Sequence, residues 1–277
     1  MPCDRFDTTD ADIILRSADG QEFPAHKSML SFASSVFRNM FSFPQPPSPE
    51  PPPTPLVDVC ETGQVLDGFL RCIYPVSKPT VEDFDLLEAL VAAADKYEAE
   101  IILNTVESWL VAPVNLRKDP LRVYVIACST PALWEAARAA AGRMTFSTVT
   151  SGNPGMVARL PMSNYHHLTT YLLRREKEAR RTIDDPSWTM FCDPRCACGT
   201  EDRLGMKVAI KKAIMDAFVS DPSLSEEGSV AVACRQLSKI RACHLGEDCL
   251  LVTQGGEYAK ELTRRLVEMS NELWCCA

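Results

Sequence analysis

The residue types best suited to chemistry in this chain are cysteine and histidine, and most of them crowd the C-terminal third. Eight of the twelve cysteines lie from Cys192 onward. Cys192-x3-Cys196-x-Cys198 is followed by Cys234, Cys243-His244 and Cys249. Zinc takes four nitrogen or sulfur ligands, and two such groups joined by a helical hairpin could close a structural site. The candidate ligands are Cys192, Cys196, Cys198, Cys243 and His244, at a spacing that departs from paired CxxC. The competing reading is reduced, partly buried thiols. Cys60, Cys72 and Cys128 stand singly in apolar or helical stretches and read as small buried hydrophobes. A cysteine–histidine nucleophile is the rival use of these residues. The four histidines, His26, His166, His167 and His244, match no catalytic signature, and glycine-rich phosphate loops are absent. The chain reads as non-enzymatic.

A second constellation joins Asp12, which opens an apolar run, to His26 and Lys27, which open a helix. A half-buried carboxylate beside an ammonium or imidazole must be paired, because desolvating it alone costs several kcal/mol. Such a group either forms a charged pocket for a partner peptide or fixes the start of the helix.

Bulk properties narrow the partners. The net charge is −8, and no basic stretch is long enough to follow a phosphate backbone, so direct nucleic-acid binding is not expected. No apolar run approaches the roughly 20 residues that cross a bilayer, so no membrane role is expected. The first residues, Met1-Pro2-Cys3-Asp4-Arg5, lack a signal-peptide core, which points to the cytoplasm or nucleus and to reduced thiols. The last cysteines are not a prenylation box, since Trp274 stands where that box needs cysteine.

The elements that must position these groups follow from periodicity. Asp12 to Phe41 reads as a strand, a tight turn at Asp19-Gly20, a second strand and an amphipathic helix. Residues 44–55, PQPPSPEPPPTP, can be neither helix nor central strand and read as an exposed polyproline-II loop. Leu56 to Val59 is a short strand. Helical spacing follows over Gln64–Tyr74, Asp83–Asp95, Ile101–Leu110, Pro120–Met144 (interrupted at Pro131), Ser163–Ala179 and Glu257–Trp274, with further helices near Met206–Val219 and Glu227–Ala242. Residues 147–155 read as a loop from composition.

The order Asp-(apolar)-Asp-Gly-Phe-x-Ala-His-Lys-x-x-Leu, followed by Ser34, Phe37, Met40 and Phe41, resembles the start of the BTB/POZ fold. FLRCIYP and LLEALVAAADKYEAE continue the resemblance to about residue 111, and it is closest to fungal, basidiomycete-like BTB proteins with a proline-rich insertion and a helical cysteine-bearing tail. It implies an α+β fold: a BTB/POZ domain over 1–111 with a proline-rich loop at 44–55, a helical BACK-like extension over 112–185, and a helical C-terminal region over 186–277. It also implies an interaction scaffold or adaptor. The alternatives are a substrate adaptor of a cullin-type ubiquitin ligase and a BTB-type transcription regulator. Partner contacts then fall on Asp12, His26, Lys27, Met40, Phe41 and Phe43. Three departures are visible. No Glu lies two positions after Met40, Phe41 or Phe43, where cullin adaptors carry one. Proline replaces the usual short polar loop. Eleven polar-rich residues precede the first strand, too few for an exchanged dimer arm. Self-association through other faces stays open.

Overall fold

The computed structural model describes residues 10–43, 54–78, 81–184, 211–219 and 255–275. The chain divides into two compact units, Met1–Ala137 and Arg138–Ala277.

The first unit is built on a three-stranded sheet. Strand β1 (Ile13–Arg16) pairs antiparallel with β2 (Glu22–Ala25) and parallel with β3 (Leu56–Asp58), giving the order β2-β1-β3. Ile13, Leu15, Phe23 and Ala25 alternate inward and are buried, the period-two pattern of a half-covered sheet. The β1–β2 turn closes at Gly20, whose φ of 82° lies in the left-handed region that glycine enters at no steric cost. Asp19 fastens the turn to the helix beyond β3: its carboxylate accepts from the backbone N–H of Gly63 at 2.8 Å and from the Ser17 hydroxyl at 2.5 Å.

Residues 27–42 form two helices where the hydrophobic pattern predicts one. α1 (Lys27–Ala33) ends at Ser34, and α2 (Ser35–Ser42) begins there. Ser34 is extended, with φ −138° and ψ 126°, and its hydroxyl accepts from the N–H of Phe37 as the N-cap of α2. The apolar stripe of Leu30, Ala33 and Phe37 crosses the break without interruption, so periodicity conceals it.

Three helices complete the core: α3 (Gly63–Ile73), α4 (Phe84–Lys96) and α5 (Glu100–Leu110). Their inward faces carry Leu66, Phe69 and Leu70, then Leu87, Leu90 and Val91, then Ile102, Val106 and Leu110, all buried. Thr62 and Asp83 cap α3 and α4. A Cβ at Gly68 would stand 3.2 Å from Leu90, so glycine permits α3 and α4 to approach closely. α6 (Pro113–Lys118) and α7 (Pro120–Ala127) follow. Each starts on proline, whose missing N–H costs nothing in the first turn. Buried Asn115 donates to the carbonyls of Val81 and Trp109 at 2.8 and 2.9 Å. A 3-10 turn (Pro131–Leu133) leads into α8 (Trp134–Ala141), and the chain passes into the second unit within that helix.

The second unit is helical in its described residues. Residues 147–155 depart from the expected loop. α9 (Phe146–Thr150) is held by a reciprocal capping box between Thr145 and Thr148, and α10 (Pro154–Val157) is capped by Asn153. The same Ser, Thr, Asn and Pro residues that mark loops also start helices. α11 (Met162–Asp184) packs Leu168, Tyr171 and Leu172 inward. α12 covers residues 211–219 and buries Ile214, Met215 and Phe218. α13 (Gly255–Cys275) buries Leu262 and Leu266. The Tyr171 and Trp274 rings meet edge to face at 5.2 Å, which locks α11 to α13. Arg175, only 3% exposed, donates to the carbonyl of Ala141, the last residue of α8, and to that of Met144 just beyond it, where backbone oxygens lack helical partners.

Candidate functional site

Asp12, His26 and Lys27 are brought together, but not as an ion pair. Asp12 is exposed, and its carboxylate accepts from the backbone N–H of Lys27 at 2.7 Å, satisfying a donor in the first turn of α1. His26 precedes that helix. Its N–H donates to the Tyr74 hydroxyl at 2.9 Å, its Nδ1 lies 2.9 Å from the same hydroxyl, and its Nε2 lies 2.9 Å from Asp10. In the neutral ring, an Nδ1 that accepts from Tyr74 leaves Nε2 as the N–H that donates to Asp10. Burial, first, and the carboxylates of Asp12 and Asp10 push the Tyr74 phenol up, against the bond from His26. These contacts set where α1 starts. Tyr74, at the C-cap of α3, was not among the expected residues; a lone tyrosine before Pro75 carries no sequence signal for a partner at the N-cap of α1.

The helices after that start present apolar groups outward. Phe43, the C-cap of α2, is 69% exposed, and Phe32 on α1 is 76% exposed. Met40 and Phe41 are half-buried. Phe41 lies against Phe37, with ring centroids 5.9 Å apart, so it contributes to packing as well as to the surface. Phe32 was missed. The signal for it is its place off the Leu30–Ala33–Phe37 stripe, which points a large ring at solvent.

Beneath α2 lies an aromatic cluster that holds it in place. Phe37 stacks on Tyr97 at 4.8 Å, and Phe69 meets both rings edge-on. Tyr97 donates to Glu61 at 2.6 Å, and Lys96 donates to the other Glu61 oxygen at 2.8 Å. Burial, with the Glu61 bond added, pushes the Tyr97 phenol up to about 12. Glu98, with φ 49°, turns the chain from α4 into α5 and accepts from the Ser35 hydroxyl. This cluster is structural: every polar group in it faces a protein partner.

In the second unit an open groove of about 680 Å³ is lined by Thr145, Thr148, Glu176, Arg180 and Asp216 among others. Its Thr145 and Thr148 hydroxyls serve the capping box, and Arg180 pairs with Glu176 at 3.1 Å. It offers no activated nucleophile.

The zinc candidates Cys192, Cys196, Cys198, Cys243 and His244 lie outside the described residues. No cluster of three potential metal ligands occurs among the described ones. Of the single cysteines, Cys72 is buried, and burial raises its thiol to about 11. Cys128 is half-buried. Cys60 is exposed, contrary to expectation, because it follows β3 in the turn that leads to α3 rather than lying within a packed face. Among the described residues no helix is long and apolar enough to cross a membrane.

No curated protein matches the chain. Residues 5–112 match the family model of the BTB/POZ domain. The chain thus carries a BTB/POZ domain, a small three-stranded sheet with helices of a kind that generally serves protein–protein interaction, followed by a remainder that is mostly helical in its described residues.

Proposed function

We propose that the chain is a non-enzymatic adaptor that holds a partner protein on the α1–α2 face of its BTB domain. The observation that carries this reading is the exposure of Phe32 and Phe43 on helices whose other face is locked into the core. Exposed aromatic side chains on a rigid support are the residues from which interface anchors are built. Asp12, His26 and Lys27 set the start of α1 and so orient that face. In this reading residues 112–185 are the helical extension, 186–277 are the tail, and the protein acts in the cytoplasm or nucleus.

A cullin is one partner that would use the same face, through Phe43 with Met40 and Phe41. The test is affinity purification of the wild type and of Phe32→Ser/Phe43→Ser, with bound proteins identified by mass spectrometry. The adaptor reading expects a partner that the double variant loses; a cullin among the lost proteins selects the ubiquitin-ligase alternative. Identical bound sets would refute the α1–α2 face.

A further inference from the structure

We infer that the joint between α11 and α13 is an acid-sensitive latch, in which uptake of one proton by His167 releases α13 from α11 while α13 stays helical. The latch lies in the second unit and goes beyond the adaptor reading, which does not depend on it.

α13 is held on α11 by apolar and aromatic contact. Leu262 and Leu266 are buried. One turn further on, Trp274 receives two rings of α11, Tyr171 edge-on at 5.2 Å and His167 at 4.6 Å with planes 57° apart. Between these contacts the joint buries polar atoms that find nothing. Ser270 continues the Leu262–Leu266 stripe and is 9% exposed. Its hydroxyl and His167 Nε2, one on each side of the joint, are buried without a hydrogen-bond partner, and Arg175 Nε is a third such atom further along α11. A buried polar group left unpaired forfeits its hydrogen bonds to water, so these atoms work against docking.

The unpaired imidazole makes that opposition depend on pH. In the neutral ring the proton can sit on Nδ1, so Nε2 buries only a lone pair; the imidazolium must bury an N–H donor there as well. Among the described residues no Asp or Glu pairs with His167. Its titratable neighbours along α11 are His166, Tyr171, Arg174 and Arg175, and α9, which also packs on α11, carries no titratable side chain. On α13 the acidic residues nearest Trp274 in sequence, Glu268 and Glu272, are exposed, and Arg138 brings a further cation to Asn271 at 2.8 Å. The Trp274 face offers an imidazolium a cation–π contact but no acceptor for its N–H. Burial accordingly holds His167 below its ordinary value. Released His167 titrates near the ordinary value of about 6.5. Docking is therefore at full strength above that pH and weakens as pH falls through the lower docked value, by up to about tenfold per pH unit for one proton. α13 carries its own means of staying helical. Arg264 bonds Glu261 at 2.7 Å and Glu268 at 2.5 Å, and Arg265 bonds Glu261 at 2.9 Å, all one turn apart. Hydrogen bonds from Arg264 and Arg265 lower the Glu261 carboxyl to about 2, so the network persists where His167 is charged.

Fluorine NMR of the full chain labelled with fluorotryptophan tests this across a pH titration. The Trp274 signal is assigned from Trp274→Phe, and its exposure is read by relaxation from a soluble gadolinium chelate. The signal should move in a one-proton transition below about pH 6.5 and become open to the chelate. The Trp109 signal of the first unit should not change, and the helical circular dichroism should hold. His167→Phe, which keeps a ring against Trp274, should abolish the transition, whereas His166→Gln should leave it. Ser270→Ala removes an unpaired hydroxyl and should move the transition to lower pH, a test that does not require the His167 variant to fold. A Trp274 signal that stays shielded, a release that persists in His167→Phe, or a transition that Ser270→Ala leaves in place overturns the latch. A helical signal that falls along with release overturns the departure of α13 as an intact helix.

Discussion

The hydroxyl of Ser34 donates to the main-chain carbonyl of Tyr97 at 2.5 Å, across 63 residues of sequence. The same oxygen caps α2 by accepting from Phe37, whose ring stacks on Tyr97. That one buried atom therefore starts α2 and ties it to the end of α4, while the backbone N–H of the same residue closes α1 on the Leu30 carbonyl. That bond positions α2, and with it the exposed ring of Phe43.

Ser34→Ala should lower stability by about 1–3 kcal/mol, combining a lost N-cap with an unsatisfied buried carbonyl. Urea denaturation would show a lower midpoint at unchanged slope. An unchanged midpoint would mean that α1 and α2 separate for another reason.

Phe37 within α2 and Phe43 at its C-cap should respond in opposite ways. Phe37 is buried at the centre of the aromatic cluster, so Phe37→Ala should cost about 3–5 kcal/mol. Phe43 contacts mainly solvent, so Phe43→Ala should stay within about 0.5 kcal/mol while reducing partner capture. Thermal unfolding of the pair measures the first difference. A large loss at Phe43 would assign that ring to the fold and not to a surface.

Glu61 predicts an acid dependence. Burial alone would raise its carboxyl, but hydrogen bonds from Lys96 and Tyr97 outweigh burial and hold it below its ordinary value. Folding therefore favours the ionised carboxylate. The contribution is complete above the unfolded carboxyl's range of about pH 4–5 and disappears as pH falls through the lower folded value. Glu61→Gln should cost about 1–3 kcal/mol at neutral pH and show a flatter loss of stability toward acid. Parallel pH profiles that differ only by a constant offset would contradict this.

Arg175 is the matching test in the second unit. Its guanidinium lies over the Tyr171 and Phe218 rings as well as reaching the carbonyls at and just beyond the end of α8. A lysine keeps the charge but cannot reproduce the planar fork. Arg175→Lys should therefore cost about 1–3 kcal/mol, seen as a lower Tm. A Tm equal to the wild type would show that charge alone suffices there.

Local signals in the sequence determined a good deal. The apolar run Ile13-Ile14-Leu15 and the Asp19-Gly20 turn specified the hairpin, and helical spacing placed α3, α4, α5, α7 and α11 to within a few residues. Caps such as Asp83 and Asp119 stand directly before the helices they start. These features are legible because period, turn chemistry and capping act over a few neighbouring residues. Tertiary structure alone decided the break at Ser34 and the exposure of Phe32 and Phe43. It also decided the joining of Glu61 to Tyr97. Periodicity states which residues share a face but not what lies across it. A carbonyl 63 residues away supplies the missing half of such a contact.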